Sequence, residues 1–270
     1  MTNMDKLKRL QSIELEIMDE IHRLCIKHNI PYFLDSGSAI GAVRHSGFIP
    51  WDDDMDVGML RSDYNRFLAI AKHELKEGFT IQTHETDPNV YKFYTKIRKD
   101  NTYYPSTISG RYQNQGIAVD IFPFDNALDD PVKAQKELEK IRFLYKIVRA
   151  RANGKRGQTF VHRLLYLFVS LLNYEKLREK YVCLCTRHNH QNTARIICYL
   201  YKMSQKQNLF FNISEMYPVK PITFENREYM IMKNPDYYLK IMYGNYMVLP
   251  PEEKRRTPDL SNVIFDVTEK

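Results

Sequence analysis

Apolar residues at Leu7, Leu10, Ile13, Ile17, Met18, Ile21, Leu24 and Cys25 recur every three or four positions, the spacing that gathers side chains on one face of an α-helix. The pattern predicts a long amphipathic helix ending near His28-Asn29. Tyr32-Phe33-Leu34 then reads as a short strand. The small polar run Asp35-Ser36-Gly37-Ser38 suits a turn and the start of a second helix over residues 39–44. Residues 54–59 alternate as a half-buried strand, and Arg61-Ser62-Asp63 opens a helix running to about Leu75. Further strands are expected over residues 79–83, 93–98 and 116–122, with Pro123 and Asp125 marking the exit of the last.

From Pro131 the pattern changes to Lys/Arg-rich helical sequence up to Arg151, a polar loop over residues 153–157 and a greasy stretch over residues 160–172. The tail returns to a mixed pattern. Helices alternating with strands, followed by a helical block, predict an α+β (mixed α/β) fold. A mixed sheet flanked by helices would occupy residues 1–130. A basic helical subdomain would follow over residues 131–215, and residues 216–270 would pack back on the core.

At 270 residues the chain is long enough for a full core, and 43% hydrophobic against 27% charged residues excludes wholesale disorder. The net charge of +7 is confined: residues 132–190 hold 14 Lys and Arg against 4 Asp and Glu, or +10, which leaves −3 for the rest. Basicity so localised, with acids at the other conspicuous motif, argues against a nucleic-acid-binding module and marks one segment for contact with something anionic. Cys25, Cys183, Cys185 and Cys198 lack zinc-site spacing and are expected as reduced thiols in a cytoplasmic protein. No apolar run before a cleavage site follows the opening residues, so export by a signal peptide is not expected.

The candidate chemistry begins at Trp51-Asp52-Asp53-Asp54-Met55-Asp56-Val57-Gly58. Strand alternation points Asp52, Asp54 and Asp56 one way and Asp53 the other. Residues two apart are separated by roughly 6.6 Å along a strand, a span over which carboxylates can share a divalent cation. A solvated acidic turn is the alternative, but Ile49, Met55, Val57 and Met59 embed these acids in apolar sequence. Buried carboxylates need a partner, and a metal ion is one. Ser36, Gly37 and Ser38 would offer backbone N–H groups to a phosphate at a helix N-terminus, or serve only as a cap. Asp120, flanked by Val119 and Ile121, is the candidate third acid, with Asp125 as the competing choice. Lys96 and Arg98 alternate in a strand and could neutralise phosphate in the same cleft, or be a solvated pair. Arg44 is a further phosphate-binding candidate, and His45 a helix C-cap.

The run from Tyr32-Phe33-Leu34-Asp35-Ser36-Gly37-Ser38 through Gly41-Ala42-Val43-Arg44-His45 to Ile49-Pro50-Trp51-Asp52-Asp53-Asp54-Met55-Asp56 resembles the LicD family. So do Val119-Asp120-Ile121-Phe122-Pro123 and Tyr243-Gly244-Asn245-Tyr246 with Pro250-Pro251. That family is related to fukutin-type phosphotransferases within the nucleotidyltransferase superfamily. The resemblance implies a nucleotidyltransferase-like fold and transfer of phosphocholine from CDP-choline to a hydroxyl of a cell-surface glycan such as teichoic acid or lipopolysaccharide. It implies Asp54 and Asp56 as the pair holding Mg²⁺ or Mn²⁺, Asp52 as a flanking acid, and Asp120 as the neighbouring-strand acid, either a metal ligand or the base. Ser38 stands where Thr is frequent. Glycerol or ribitol phosphate transfer from a CDP donor, or transfer of NMP to a small molecule, are the enzymatic alternatives. The greasy segment over residues 158–173, with its basic flanks, is either a core helix or a helix lying on the inner face of the cytoplasmic membrane, near a lipid-linked acceptor.

Overall fold

The computed structural model describes residues 2–105, 113–153, 168–200, 209–255 and 258–267. They fall into two compact units, Met1–Pro123 with Phe211–Lys270, and Phe124–Phe210. Most of the greasy stretch, including residues 158–167, lies outside the described residues. No helix among the described residues is long and apolar enough to cross a membrane.

The first unit opens with α1 (Asn3–Lys27), capped by Thr2, whose hydroxyl accepts the Asp5 N–H at 3.1 Å while the Asp5 carboxylate accepts the Thr2 N–H at 2.9 Å. Its apolar stripe, Leu7 to Cys25, is buried as the periodicity predicts. Then come β1 (Phe33–Leu34), α2 (Ser36–His45), β2 (Met55–Leu60), α3 (Arg61–Glu74), β3 (Phe79–Gln82), β4 (Thr95–Lys99) and β5 (Ala118–Ala127). The sheet order is β1-β2-β5-β4-β3, with β1 antiparallel to β2 and β3, β4 and β5 successively antiparallel. Helices and a mixed sheet make an α+β fold.

The second helix departs from expectation, starting at Ser36 rather than Ala39. Asp35, fully buried, is the true N-cap: its carboxylate accepts the Ser36 N–H at 2.8 Å and the Tyr238 hydroxyl. Residues Ser36, Gly37 and Ser38 are therefore the first helical turn. At its other end the helix is closed by Ser46, not His45, in the left-handed region at φ 54.

Strand β5 also differs, since it runs through Pro123 instead of ending there. Residues Ala118 to Ile121 pair with β4 and residues Asp125 to Ala127 pair with β6 (Arg195–Ile197), so Pro123 stands between these two ladders.

The C-terminal part of the first unit adds β7 (Phe210–Asn212), the short α6 (Ile213–Met216), the hairpin β8 (Lys220–Phe224) to β9 (Arg227–Ile231), and α7 (Pro235–Tyr243). The hairpin is tied to α1 by Arg227, whose Nε lies 3.0 and 2.9 Å from the two Asp19 oxygens, and by the Tyr229 hydroxyl, 2.7 Å from Asp19. In the second unit α4 (Pro131–Asn153) packs on α5 (Tyr174–Thr186) through Leu138, Ile141, Leu144, Tyr181 and Cys185.

Candidate active site

The β4–β5 register places Lys96 opposite Asp120 and Arg98 opposite Ala118. Alternation then turns Lys96, Arg98, Ala118, Asp120 and Phe122 to one face, where they line a cavity of about 590 Å³. Lys96 Nζ donates directly to Asp120 Oδ1. Arg98 is buried, donating from Nε to Gln82 Oε1 at 2.6 Å and from Nη1 to the Gly116 carbonyl. Lys92 joins this basic wall, its Nζ 4.8 Å from the centroid of the Tyr94 ring, which packs on Phe122 at 4.6 Å. Burial, and then the neighbouring Lys96 charge, pull the Lys92 pKa down to about 8.

The other acids of this region come from α1 and the turn into β2. The Asp52 N–H donates to the Ile49 carbonyl at 2.9 Å, so Asp52 belongs to a turn, and the strand begins only at Met55. Alternation does not reach back that far. Asp53, expected to point away, instead joins Asp52 and Asp54, with one carboxylate oxygen from each within 4.8 Å of the others. The Tyr104 hydroxyl donates to Asp53. Asp56 lies on β2 with its backbone clamped: its N–H donates to Ser38 Oγ at 2.9 Å and its carbonyl accepts the Asp35 N–H at 2.9 Å.

The start of α2 abuts this acidic turn. A Cβ on Gly37 would stand 2.7 Å from Asp52 Oδ2, so any side chain there would push the Asp52 carboxylate aside. The first intrahelical bond is Ala39 N–H to the Asp35 carbonyl at 3.1 Å, and the Ser36 N–H goes to the Asp35 carboxylate. Helix geometry leaves the Gly37 and Ser38 amides for an outside acceptor. Arg44 is at the opposite end of the same helix, roughly 10 Å along the axis. Its Nη1 donates to the Tyr246 carbonyl and its Nε to His45 Nε2 at 2.9 Å, so it anchors the C-terminal segment rather than facing the acids. Asp125 is not at the cavity either; it is buried in the second unit and accepts from Asn189 Nδ2 at 2.7 Å.

Sequence reasoning passed over Glu14. It stands on α1 within the apolar stripe, is 1% exposed, and lines the cavity beside Asp53, Asp54, Asp56 and Asp120. One turn earlier Gln11 Nε2 donates to the Asp52 carbonyl at 2.9 Å, so this face of α1 carries polar groups aimed at the acidic turn. The signal was a carboxylate at the i+4 step from Leu10, within the apolar stripe.

Burial, and then the crowding of like charges, raise the carboxyl pKa values: Asp52 to about 8, Asp54 to about 6, and Asp56 and Glu14 well above the usual carboxylate range. Asp52, Asp53 and Asp54, with a carboxylate oxygen each in common reach, could hold a metal ion, and buried Glu14 lines the same cavity with an oxygen that has no hydrogen-bond partner among the described residues.

Residues 29–147 match the family model described as the LicD/FKTN/FKRP nucleotidyltransferase domain. Over 254 residues, 93% of this chain and 94% of the relative, the sequence is 27% identical to the lipopolysaccharide cholinephosphotransferase LicD of Haemophilus influenzae. Shorter matches join it to uncharacterized proteins of Rickettsia typhi, 40% identical over 25% of this chain and 22% of the relative, and Rickettsia prowazekii, 38% identical over 28% and 29%.

Proposed function

Residues 29–147 are a LicD-family nucleotidyltransferase domain, and from that premise we propose that the chain transfers phosphocholine from CDP-choline to a hydroxyl of a cell-surface glycan, releasing CMP. The observation that carries this reading is a cavity lined by both acids and cations. Asp53, Asp54, Asp56, Asp120 and Glu14 line it together with Lys92, Lys96, Arg98, Tyr94, Tyr104 and Phe122, and Lys96 is paired with Asp120. Such a site suits a donor with a charged phosphate chain, held between fixed cations and a metal ion.

The residue roles follow from chemistry. Asp52, Asp53, Asp54, Asp56 and Asp120 are the acids that hold Mg²⁺ or Mn²⁺ and relieve the acceptor hydroxyl of its proton. Bound there, the cation would offset charge on the phosphate oxygens as the bond to CMP lengthens. Lys92, Lys96 and Arg98 neutralise the phosphates, and the Gly37 and Ser38 amides orient one phosphate oxygen. An arriving phosphate stabilises the ammonium form of Lys92, restoring a proton that burial makes easy to lose. The acceptor oxygen bonds to the phosphorus bearing choline, the phosphoanhydride bond to CMP breaks, and the hydroxyl proton passes to a carboxylate.

CMP release distinguishes donors directly. With Mg²⁺ or Mn²⁺ and an isolated glycan acceptor, CDP-choline should be consumed in preference to CDP-glycerol, CDP-ribitol and nucleoside triphosphates, with choline label appearing on the glycan. Asp54→Asn and Asp56→Asn should each lower that rate by roughly 100-fold or more. Folded variants that turn over like the wild type would remove the site assignment. Preferential consumption of another CDP-alcohol would change the substrate.

A further inference from the structure

Glu14 lies outside the segment matched by the family model, and none of the roles above requires it. Its burial nevertheless needs explaining. Among the described residues its Oε2 has no hydrogen-bond partner, and the side chain is 1% exposed while lining the acidic wall of the cavity. An ionised carboxylate without a partner in such a place is costly, and the nearest charges make it worse, since Asp54, Asp53 and Asp52 all act on it with the same sign. Apolar packing alone would favour a leucine, as at Leu10 one turn before. A positive species is what these groups lack in common.

We infer that Glu14 is a direct ligand of the divalent cation at this site, delivered from α1 to complete a shell begun by Asp53 and Asp54. The inference rests on the cation-binding reading of the site and adds to it a ligand from a different element. Tyr104 and Gln11 orient that shell: Tyr104 donates to Asp53, and Gln11 holds the Asp52 carbonyl at 2.9 Å. α1 is then part of the metal centre and not only a packing helix, so cation binding ties the N-terminal helix to the acidic turn.

The test is Mn²⁺ binding to the full chain without substrate, read from the electron paramagnetic resonance of free Mn²⁺. Glu14→Gln keeps shape and removes charge, and should weaken Mn²⁺ binding roughly 10- to 100-fold. Glu14→Asp withdraws the carboxylate by one methylene and should weaken it as well. Glu16→Gln, on the same helix but 48% exposed and paired with Lys99 at 3.0 Å, should leave it unchanged. Melting curves confirm folding, and the metal-free Glu14→Gln protein should melt no lower than the wild type because a repulsion has been removed. Wild-type affinity in folded Glu14→Gln or Glu14→Asp overturns this inference and leaves the cation-binding reading standing. A wild-type chain that takes up no Mn²⁺ overturns both.

Discussion

The hydroxyl of Ser38 stands where α2 meets β2, and its hydrogen bond to the Asp56 N–H at 2.9 Å sets the backbone of a candidate metal ligand. Ser38→Ala leaves that amide without its acceptor in a buried setting, a loss of about 1–3 kcal/mol. We expect a lower melting temperature and weaker turnover from Ser38→Ala, and near wild-type values for both from Ser38→Thr, which keeps the oxygen. Equal melting of Ser38→Ala and wild type would show that the bond contributes nothing. Tyr104→Phe isolates a different contact. Asp53 loses its hydroxyl donor while the ring remains, so Mn²⁺ affinity should fall by a factor of several with little change in folding. The residue types at this site were readable in the sequence, but their partners were not. Ser38 was visible as part of a helix start, whereas its bond to a residue 18 positions away depends on how α2 folds over β2. Asp53 was misplaced because alternation was extended through a turn. Glu14 was overlooked because a search for apolar periodicity passes over charged residues that share the buried face, as Glu14 and Glu20 both do.

Between α2 and β2 the chain is packed too tightly for a side chain at one point. A Cβ on Gly41 would come 2.4 Å from the Gly47 carbonyl oxygen and 3.4 Å from the Ile49 nitrogen, both backbone atoms that cannot rotate aside. Gly41→Ala should therefore push α2 away from the segment leading into Asp52, costing about 1–3 kcal/mol despite the better helix propensity of alanine. Chemical denaturation measures that loss, and a stabilised variant would refute the close packing. The same loop is held from the far side by the turn of the β8–β9 hairpin: the Glu225 N–H donates to the Ser46 carbonyl at 2.7 Å and its Oε1 accepts the Phe48 N–H at 3.1 Å. Elements with strong local period were legible, among them α1 and α3, because each buries one face. The start of α2 was not, since the capping carboxylate of Asp35 is itself held by Tyr238, a residue 203 positions on. The end of β5 was misread for a related reason. Proline ends a strand only where a partner requires its N–H, and which partner stands there is decided by residues remote in the chain.

Folding the whole chain gathers carboxylates that would be well separated in the unfolded state, and this makes stability depend on pH in a definite direction. Asp52, at about 8, and Glu14 and Asp56, raised well above the usual range, keep their protons in the native protein after the unfolded chain has released them. The native state then binds more protons than the unfolded state, so stability falls as pH rises. Other groups act outside this window or against it. Glu74, lowered to about 2 by Lys27 and His28, contributes stability that is complete above the ordinary carboxylate range. His22 and His45, lowered chiefly by burial, contribute stability that is lost as pH falls from their unfolded value through the folded one. Between pH 7 and 8 the acidic wall should dominate, and the metal-free protein should melt lower at pH 8. On the proposed cation site, Mn²⁺ would bind the ionised carboxylates in place of their protons, so the rise in melting temperature that it produces should be larger at pH 8 than at pH 7. Scanning calorimetry in chelator and in saturating Mn²⁺ at the two pH values decides the matter. A flat metal-free profile together with an Mn²⁺ shift that ignores pH would mean that these carboxylates are already ionised in the native protein without a cation. Their crowding would then have to be balanced by some other charge.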